Sequence, residues 1–456
     1  MLIPLKRFAY RFYRSSSSLQ YRLLRRFTPG GLLAMSAMSA SVLIGLDTNR
    51  NLAHQIFTLL FSLMAISVVA VRRFRGRFFV RRELPRYGTV GEKVSYKITV
   101  HNQTSKFQKG LFLREEPADP RPSFDEFFNA REPGEEKRNW VDRTLGAYRW
   151  SWLISQKQLA DLKDQSLPSL LPNGAGEVRM EFTPGRRGVV RFSRISIGKT
   201  DPLGLFSSFI SIPDEQSLLV LPKRYAIPRL QLPGARKYHQ GGVALASEVG
   251  DSEEFIGLRD YRPGDPLRHI HWKSWARTGN PVVKEFQQEY FARHALILDT
   301  FTSPGNVELF EEAVAVAASF ANGLETRDAL LDLMFIGDEA HCFTAGRSLA
   351  SPDGMLEILA SVKICHDRPF SSLRDAVLNR APLLSGCICI LLAWDDERKD
   401  LVQRLEAYGV SPTVLVLSDA PLDPQAGQGQ RGSASGNFHA LEVGKVKEGL
   451  ARLSIR

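Results

Sequence analysis

The sequence predicts three parts in series: two transmembrane helices, an all-β domain of immunoglobulin-like sandwich type, and an α/β domain built on a doubly wound sheet. Three observations predict it. Two apolar segments free of charged residues lie between basic flanks; turn-punctuated alternating segments follow; and from about residue 290 continuous apolar runs alternate with amphipathic ones.

The apolar segments are residues 30–46 and 52–71, neither containing Lys, Arg, Asp or Glu. Each approaches the roughly 20 residues that a helix needs to cross the hydrocarbon core. Only DTNRN separates them, which makes a tight hairpin. Lys6, Arg7, Arg11, Arg14, Arg22, Arg25 and Arg26 precede the pair, and Arg72, Arg73, Arg75, Arg77, Arg81 and Arg82 follow it. By the positive-inside rule both ends are cytoplasmic, which gives a basic cytoplasmic segment over 1–27 and a hairpin over 28–72. A cleaved signal peptide fits less well, because its basic lead would be long and a second span follows at once.

The net charge of +11 suggests a nucleic-acid partner until it is located. Residues 1–82 hold 14 Lys or Arg against the single acid Asp47, and the other 46 Lys or Arg nearly cancel 48 acids. A nucleic-acid binder carries its excess on the domain that grips phosphates, so no such partner is expected here.

The all-β domain is placed over 84–230. Val94, Tyr96, Ile98 and Val100 alternate with polar residues at the period of a half-buried strand. A second cluster, VRMEFTPGRRGVVRFSRISIGKTDPLGLF, is broken by Pro184-Gly185 and Gly188. Residues 115–175, Pro-rich and charged, are an insertion. The α/β domain is placed over 290–456: HALILDT, ALLDLMFIG, CICILLAW and PTVLVLS are strands, with helical patterns between them and a last helix in VKEGLARL. Cys387 and Cys389, two apart on a strand, face one side; with Cys342 and Cys365 they are expected buried and reduced.

Between these domains, 231–289 holds the densest chemistry. Residues 258–278 read LRDYRPGDPLRHIHWKSWART. Pro263 and Gly264 suit the centre of a type II turn. Asp265 as N-cap and Pro266 at the first helical position predict a helix over 266–277, stopped at Gly279. On a helix His269 and His271 point about 200° apart and cannot chelate one ion. No nucleophile motif accompanies them, so no residue is assigned a catalytic role. Arg268 beside Trp272 and Trp275 suggests cation–π packing, and Arg259, Arg268 or Arg277 with Asp260, Asp265 or Glu254 suggests a guanidinium–carboxylate clasp joining the β domain to the α/β domain. The same exposed Arg and Trp types also serve as interface anchors.

EEFIGLRDYRPGDPLRHIHWKSWART followed by NPVVKEFQQE resembles the signature of the bacterial domain of unknown function 58 family. The residues carrying it are Glu254, Phe255, Arg259, Tyr261, Pro263, Gly264, Asp265, Arg268, Trp272, Lys273 and Arg277. The resemblance implies two spans in the inner (cytoplasmic) membrane, a β domain and a von Willebrand factor A-like domain. Members are often encoded near MoxR-type AAA+ ATPases, which implies an adaptor role beside such an ATPase in assembling or remodelling proteins or the cell envelope. Von Willebrand A-like domains can hold Mg²⁺ through D-x-S-x-S and a distant acid, because a hard cation takes oxygen ligands. Here Asp299 and Ser303 fit that pattern, Phe301 replaces the first Ser, and Asp395 or Asp396 would supply the acid. The alternative to an interaction protein is therefore a metal-dependent hydrolase using Asp299 and Asp395.

Overall fold

A computed structural model describes residues 2–44, 51–132, 134–135, 138–158, 161–228, 255–265, 267–286, 292–302, 306–323, 329–337, 339–345, 352–419 and 437–453. The chain is mixed α/β with four sheets among the described residues. It divides into two compact units: Met1–Arg224 with Thr302–Ala318 and Leu356–Lys363, and Tyr225–Phe301 with Ser319–Met355 and Ile364–Arg456.

The first unit begins with three helices, α1 (Leu2–Arg26), α2 (Pro29–Ile44) and α3 (Asn51–Arg72). Among the described residues, Leu52–Arg72 is the helix long and apolar enough to cross a membrane, and the first expected span is described only as far as Ile44. At 16 residues α2 is about 24 Å long, against a hydrocarbon core of about 30 Å. The expected hairpin loop lies largely outside the described residues, and α2 and α3 pack along one another.

Strands β1 (Phe78–Glu83), β2 (Tyr87–Thr89), β3 (Val94–Asn102) and β4 (Leu111–Pro117) come next. Helices α4 (Phe124–Asn129), α5 (Trp140–Leu145) and α6 (Ala147–Lys157) precede β5 (Gln165–Ser166), β6 (Ala175–Phe182), β7 (Gly188–Thr200) and β8 (Ser207–Leu221). They form a three-stranded sheet, β1-β3-β6, and a five-stranded sheet, β2-β8-β7-β4-β5. The expected alternation in β3 holds, with Val94, Tyr96, Ile98 and Val100 buried. One core joins the two sheets: those four residues and Met180 meet Leu113, Phe192, Ile195, Ile197 and Leu218.

A charged pair crosses that core. Arg82 of β1 donates to Glu115 of β4 through Nε at 2.9 Å and Nη2 at 2.8 Å, Tyr96 adds its hydroxyl at 3.2 Å, and both charged side chains are fully buried. Arg82 also donates to the Asp214 carbonyl at 3.0 Å and lies 4.9 Å from the Phe192 ring centre. Burial pushes the Glu115 carboxyl up, against the pull of Arg82.

The loop before β8 fastens the apolar helices to the sheets. Buried Asp201 accepts from the N–H groups of Leu203, Leu205 and Phe206 at 3.0, 2.8 and 2.7 Å, and from the Ser67 hydroxyl of α3 at 2.8 Å. At the start of α2 the Thr28 N–H donates to the Leu205 carbonyl at 3.1 Å. A Cβ on Gly31 would stand 2.1 Å from that carbonyl oxygen, so the close approach requires glycine.

The second unit holds two sheets. Strands β9 (Phe255–Asp260) and β10 (Val282–Phe286) pair antiparallel around α7 (Trp272–Thr278). Along the chain then follow β11 (Ala292–Leu298), α8 (Val307–Gly323), β12 (Ala329–Ile336), β13 (Ala340–Ala345), α9 (Pro352–Ser361), α10 (Ser371–Leu378), β14 (Gly386–Leu391), α11 (Asp396–Ala407), β15 (Ser411–Ser418), β16 (Phe438–Glu442) and α12 (Val446–Ala451), with most of α8 and α9 belonging to the first unit. The six-stranded sheet runs β13-β12-β11-β14-β15-β16, parallel except at its β13 edge. All six residues of β14 are buried, as its continuous apolar run requires. The cysteines Cys387 and Cys389 share one side with Sγ atoms 3.9 Å apart. Cys342 departs from expectation: it is exposed, because β13 is an edge strand.

Removing Glu115 takes from buried Arg82 its two-pronged partner and leaves it the Asp214 carboxylate at 3.2 Å. Glu115→Ala should therefore cost about 3–5 kcal/mol, seen as a lower thermal midpoint in detergent. Adding Arg82→Leu to that variant should recover part of the loss, since the buried charge is then gone.

Candidate functional site

The β9–β10 hairpin carries the charged stretch. The Asp265 N–H donates to the Arg262 carbonyl at 3.0 Å and Gly264 takes φ +109°, so the expected turn at Pro263-Gly264 is present. The expected helix is interrupted. Leu267–His269 make one 3-10 turn and buried Ile270 bridges to Val283. The His271 N–H then donates to the Val282 carbonyl at 2.8 Å, and the α-helix starts only at Trp272. Backbone pairing with β10 takes the groups that a continuous helix would have used. The stop at Gly279 is observed, with φ 79°.

Asp265 consequently caps no helix. Its carboxylate accepts from the Arg262 N–H at 2.8 Å and from both Nη groups of Arg259 at 2.7 and 2.8 Å. Arg259 first, and then that N–H, hold the Asp265 carboxyl at about 2, below its ordinary 3.8. This is the expected guanidinium–carboxylate clasp, and it closes within the hairpin over six residues. The Tyr261 N–H donates to the Pro281 carbonyl at 2.9 Å, which continues the pairing.

Other signature residues are displayed. Arg268, Trp272, Lys273 and Arg277 are exposed, Trp272 by 63%. The expected guanidinium-on-indole packing is replaced by indole on indole: Trp272 stacks on Trp275 at 5.2 Å and 22°. His271 Nδ1 lies 2.6 Å from the Ser274 hydroxyl. Since His269 and His271 do not share a helix, the 200° argument does not apply to them; among the described residues, however, no three His, Cys, Asp or Glu side chains are grouped to hold a metal ion. Phe255 opens β9, and Glu254 lies outside the described residues. A cleft of about 530 Å³ is lined by Leu258, Arg259, Asp260, Arg262, Ser274, Thr278 and Val282. Sequence reasoning missed the contributions of Ser274, Thr278 and Val282; the apolar pair in NPVVKEF was the available signal that a strand returns here.

The strand-end acids form a second cluster. Asp299 follows β11 and is fully buried, accepting from the Phe301 N–H at 2.9 Å, the Leu392 N–H at 3.1 Å and Arg398 Nε at 2.9 Å. Arg398 also reaches Asp395 at 2.5 Å and the Phe301 carbonyl at 3.1 Å, and lies 4.4 Å from the Phe370 ring centre. Asp395 is the N-cap of α11, accepting from the Arg398 N–H at 3.0 Å. The other acid, Asp396, is exposed and pairs with Lys399 at 3.3 Å. Burial pushes the Asp299 carboxyl up, against the pull of Arg398 and two backbone donors.

Asp299 and Asp395 are thus brought together, but around a guanidinium. Both Asp299 oxygens are engaged by N–H donors, and Ser303 lies outside the described residues. A hard cation needs those oxygens free, so these residues do not fit the Mg²⁺ that the resemblance implies. Arg398 supplies the positive charge there instead. The signal was Asp395-Asp396-Glu397-Arg398, an N-cap with an Arg in the same first turn.

Two outcomes follow from this geometry. Because the folded value of Asp265 lies below its ordinary one, its contribution is complete above 3.8 and is lost as pH falls toward about 2; an acid titration of the hairpin amide signals should show this, and Asp265→Asn should abolish it. Added Mg²⁺ should leave the thermal midpoint unchanged, whereas Asp299→Ala should cost about 1–3 kcal/mol, because buried Arg398 loses one of its two carboxylate partners.

Residues 257–375 match the model of a protein family of unknown function, DUF58. The uncharacterized protein YeaD of Bacillus subtilis (strain 168) is 27% identical over 159 residues, which are 34% of this chain and 38% of that protein. Among solved structures, the CARDB domain of PF1109 from Pyrococcus furiosus is 11% identical, covering 31% of this chain and 93% of that one at a TM-score of 0.16. The ASH/PapD-like domain of human CEP192 is 12% identical over 32% of this chain and 86% of that one, at 0.18. A family 123 glycoside hydrolase from Clostridium perfringens is 10% identical over 83% of this chain and 81% of that one, at 0.15. Scores at that level carry no argument about fold or activity. The family match begins inside β9 and takes in the clasp, the cleft and the displayed helix, and it is over this region, 257–375, that the chain is similar to the DUF58 family.

Proposed function

We propose that the chain is a membrane-anchored interaction protein that engages a protein partner through its signature hairpin. The observation that carries this reading is the surface of α7. Trp272, 63% exposed, stands among exposed Arg268, Lys273 and Arg277, while the Arg259–Asp265 pair fixes the turn beneath. Trp and Arg are the residues that most often anchor interfaces. Holding them on a tied hairpin lowers the ordering cost of binding. A partner that complements this surface offers acidic groups around an apolar pocket. The family resemblance supports a MoxR-type AAA+ ATPase as the proposed partner, in assembly or remodelling of proteins or the cell envelope.

In this reading α3 crosses the inner membrane with α2 as its shorter companion. Support comes from burial: only 11% of the most apolar window of α3 is buried, which a core helix of a soluble protein would not tolerate. The Arg residues flanking both helices then keep the soluble units cytoplasmic. The two-sheet β body is taken as immunoglobulin-like and the six-stranded sheet as von Willebrand A-like, on the strength of their strand orders. A hydrolase reading using Asp299 and Asp395 lacks comparable support, because Arg398 engages both carboxylates.

Capture of the full chain from detergent-solubilised membranes should bring down an AAA+ ATPase. Trp272→Ala or Arg268→Ala should weaken that complex by about 2 kcal/mol, roughly thirtyfold, without changing the thermal midpoint. Capture that yields no stable partner, or that is indifferent to both substitutions, contradicts the proposal.

A further inference from the structure

Helix α1 presents three faces, and one of them is uncovered. On the first, Tyr10 donates to the Pro122 carbonyl at 3.3 Å and its ring lies 5.4, 5.9 and 5.7 Å from those of Phe124, Phe127 and Trp150. Tyr13 packs on Phe127 and Trp150 beside it. The helices inserted between β4 and β5 therefore form a cradle for α1. Arg7, Arg11 and Arg14 border this face. On the remaining face Leu5, Phe8, Phe12 and Leu19 are 42, 68, 60 and 54% exposed. At about 100° per residue these four fall within about 60° of arc, an apolar stripe interrupted between Phe12 and Leu19 by Ser15 and Ser16.

The charge of α1 identifies the occupant of that stripe. Residues 2–26 contain seven Lys or Arg and no acid. Arg25 ties the end of the helix to Glu116 at 2.5 Å and to Ser211 at 2.8 Å, and the apolar α2 begins at Pro29. A basic helix with an unpartnered apolar stripe, continuous with apolar helices, matches an anionic bilayer surface in charge, polarity and position. We infer that α1 lies in the headgroup layer of such a bilayer, with Leu5, Phe8, Phe12 and Leu19 at the acyl boundary and exposed Arg11 against lipid phosphates. The inference rests on the membrane-anchored reading. It also gives the 115–175 insertion a task, which is to hold α1 at the membrane.

The test uses the full chain with exposed Cys342 replaced by Ser, leaving three buried cysteines. A nitroxide is attached in turn after Phe8→Cys, Phe12→Cys and Arg11→Cys, in vesicles of phosphatidylcholine with phosphatidylglycerol. At positions 8 and 12, collision with dissolved oxygen should exceed collision with a water-soluble nickel chelate severalfold, and position 11 should show the reverse. Omitting phosphatidylglycerol should raise nickel access at 8 and 12; no change there overturns the anionic-lipid assignment. Equal nickel access at all three positions, in protein that stays with alkali-washed vesicles, overturns the inference while the anchor stands. Shielding of 8 and 12 from both oxygen and nickel means that protein covers the stripe, which also overturns it. Loss of the chain to the alkaline wash removes inference and anchor together.

Discussion

Withdrawing a carboxylate from water costs several kcal/mol unless donors replace the lost hydration, and that cost organises each part of this chain. In the β body Glu115 is met by Arg82 and Tyr96, which pins the two sheets together across their core. Before β8, Asp201 gathers three N–H groups and the Ser67 hydroxyl; burial pushes its carboxyl up, but the four donors prevail and leave it below the ordinary value. That node ties an apolar helix to a loop of the sheet. In the second unit Asp299 is met by Arg398, and in the hairpin Asp265 by Arg259.

The same constraint separates contact from chemistry at the two candidate sites. A carboxylate that works on a substrate or a metal needs a lone pair left over. Asp299 accepts from Arg398 and two backbone donors, and a cation there would meet the Arg398 charge, so the acids at the strand ends hold the sheet and α11 together. The Arg268, Trp272, Lys273 and Arg277 side chains stand exposed on a hairpin whose own turn is tied, with no comparable ion pair among the described residues.

Local features were legible in the sequence, and distant pairings were not. The alternation of β3, the apolar run of β14, the Pro263-Gly264 turn and the Gly279 stop each depend on a few adjacent residues, and each is found. The helix over 266–277 fails because Ile270 and His271 pair with Val283 and Val282, a choice made by a strand that arrives later in the chain. Arg398 meets Asp299 across 99 positions, and Tyr10 meets Pro122 across 112, so neither partner could be read from local spacing. The weakly patterned edge strand β13 and the helix α10 escaped because neither carries a long apolar period. Among the described residues α2 is the shorter apolar helix and α3 the one with the length and composition of a span.

The central claim, that this chain acts by contact through its signature helix, is tested most directly by photocross-linking in intact membranes. A benzophenone amino acid in place of Trp272 is compared with one in place of Tyr408, which is also about half exposed at 51% but lies far from the signature in sequence. The account predicts one discrete protein adduct from position 272, absent from position 408 and lost when Arg268 is replaced by Ala. Identical adduct patterns from the two positions, or none but lipid from 272, would contradict it.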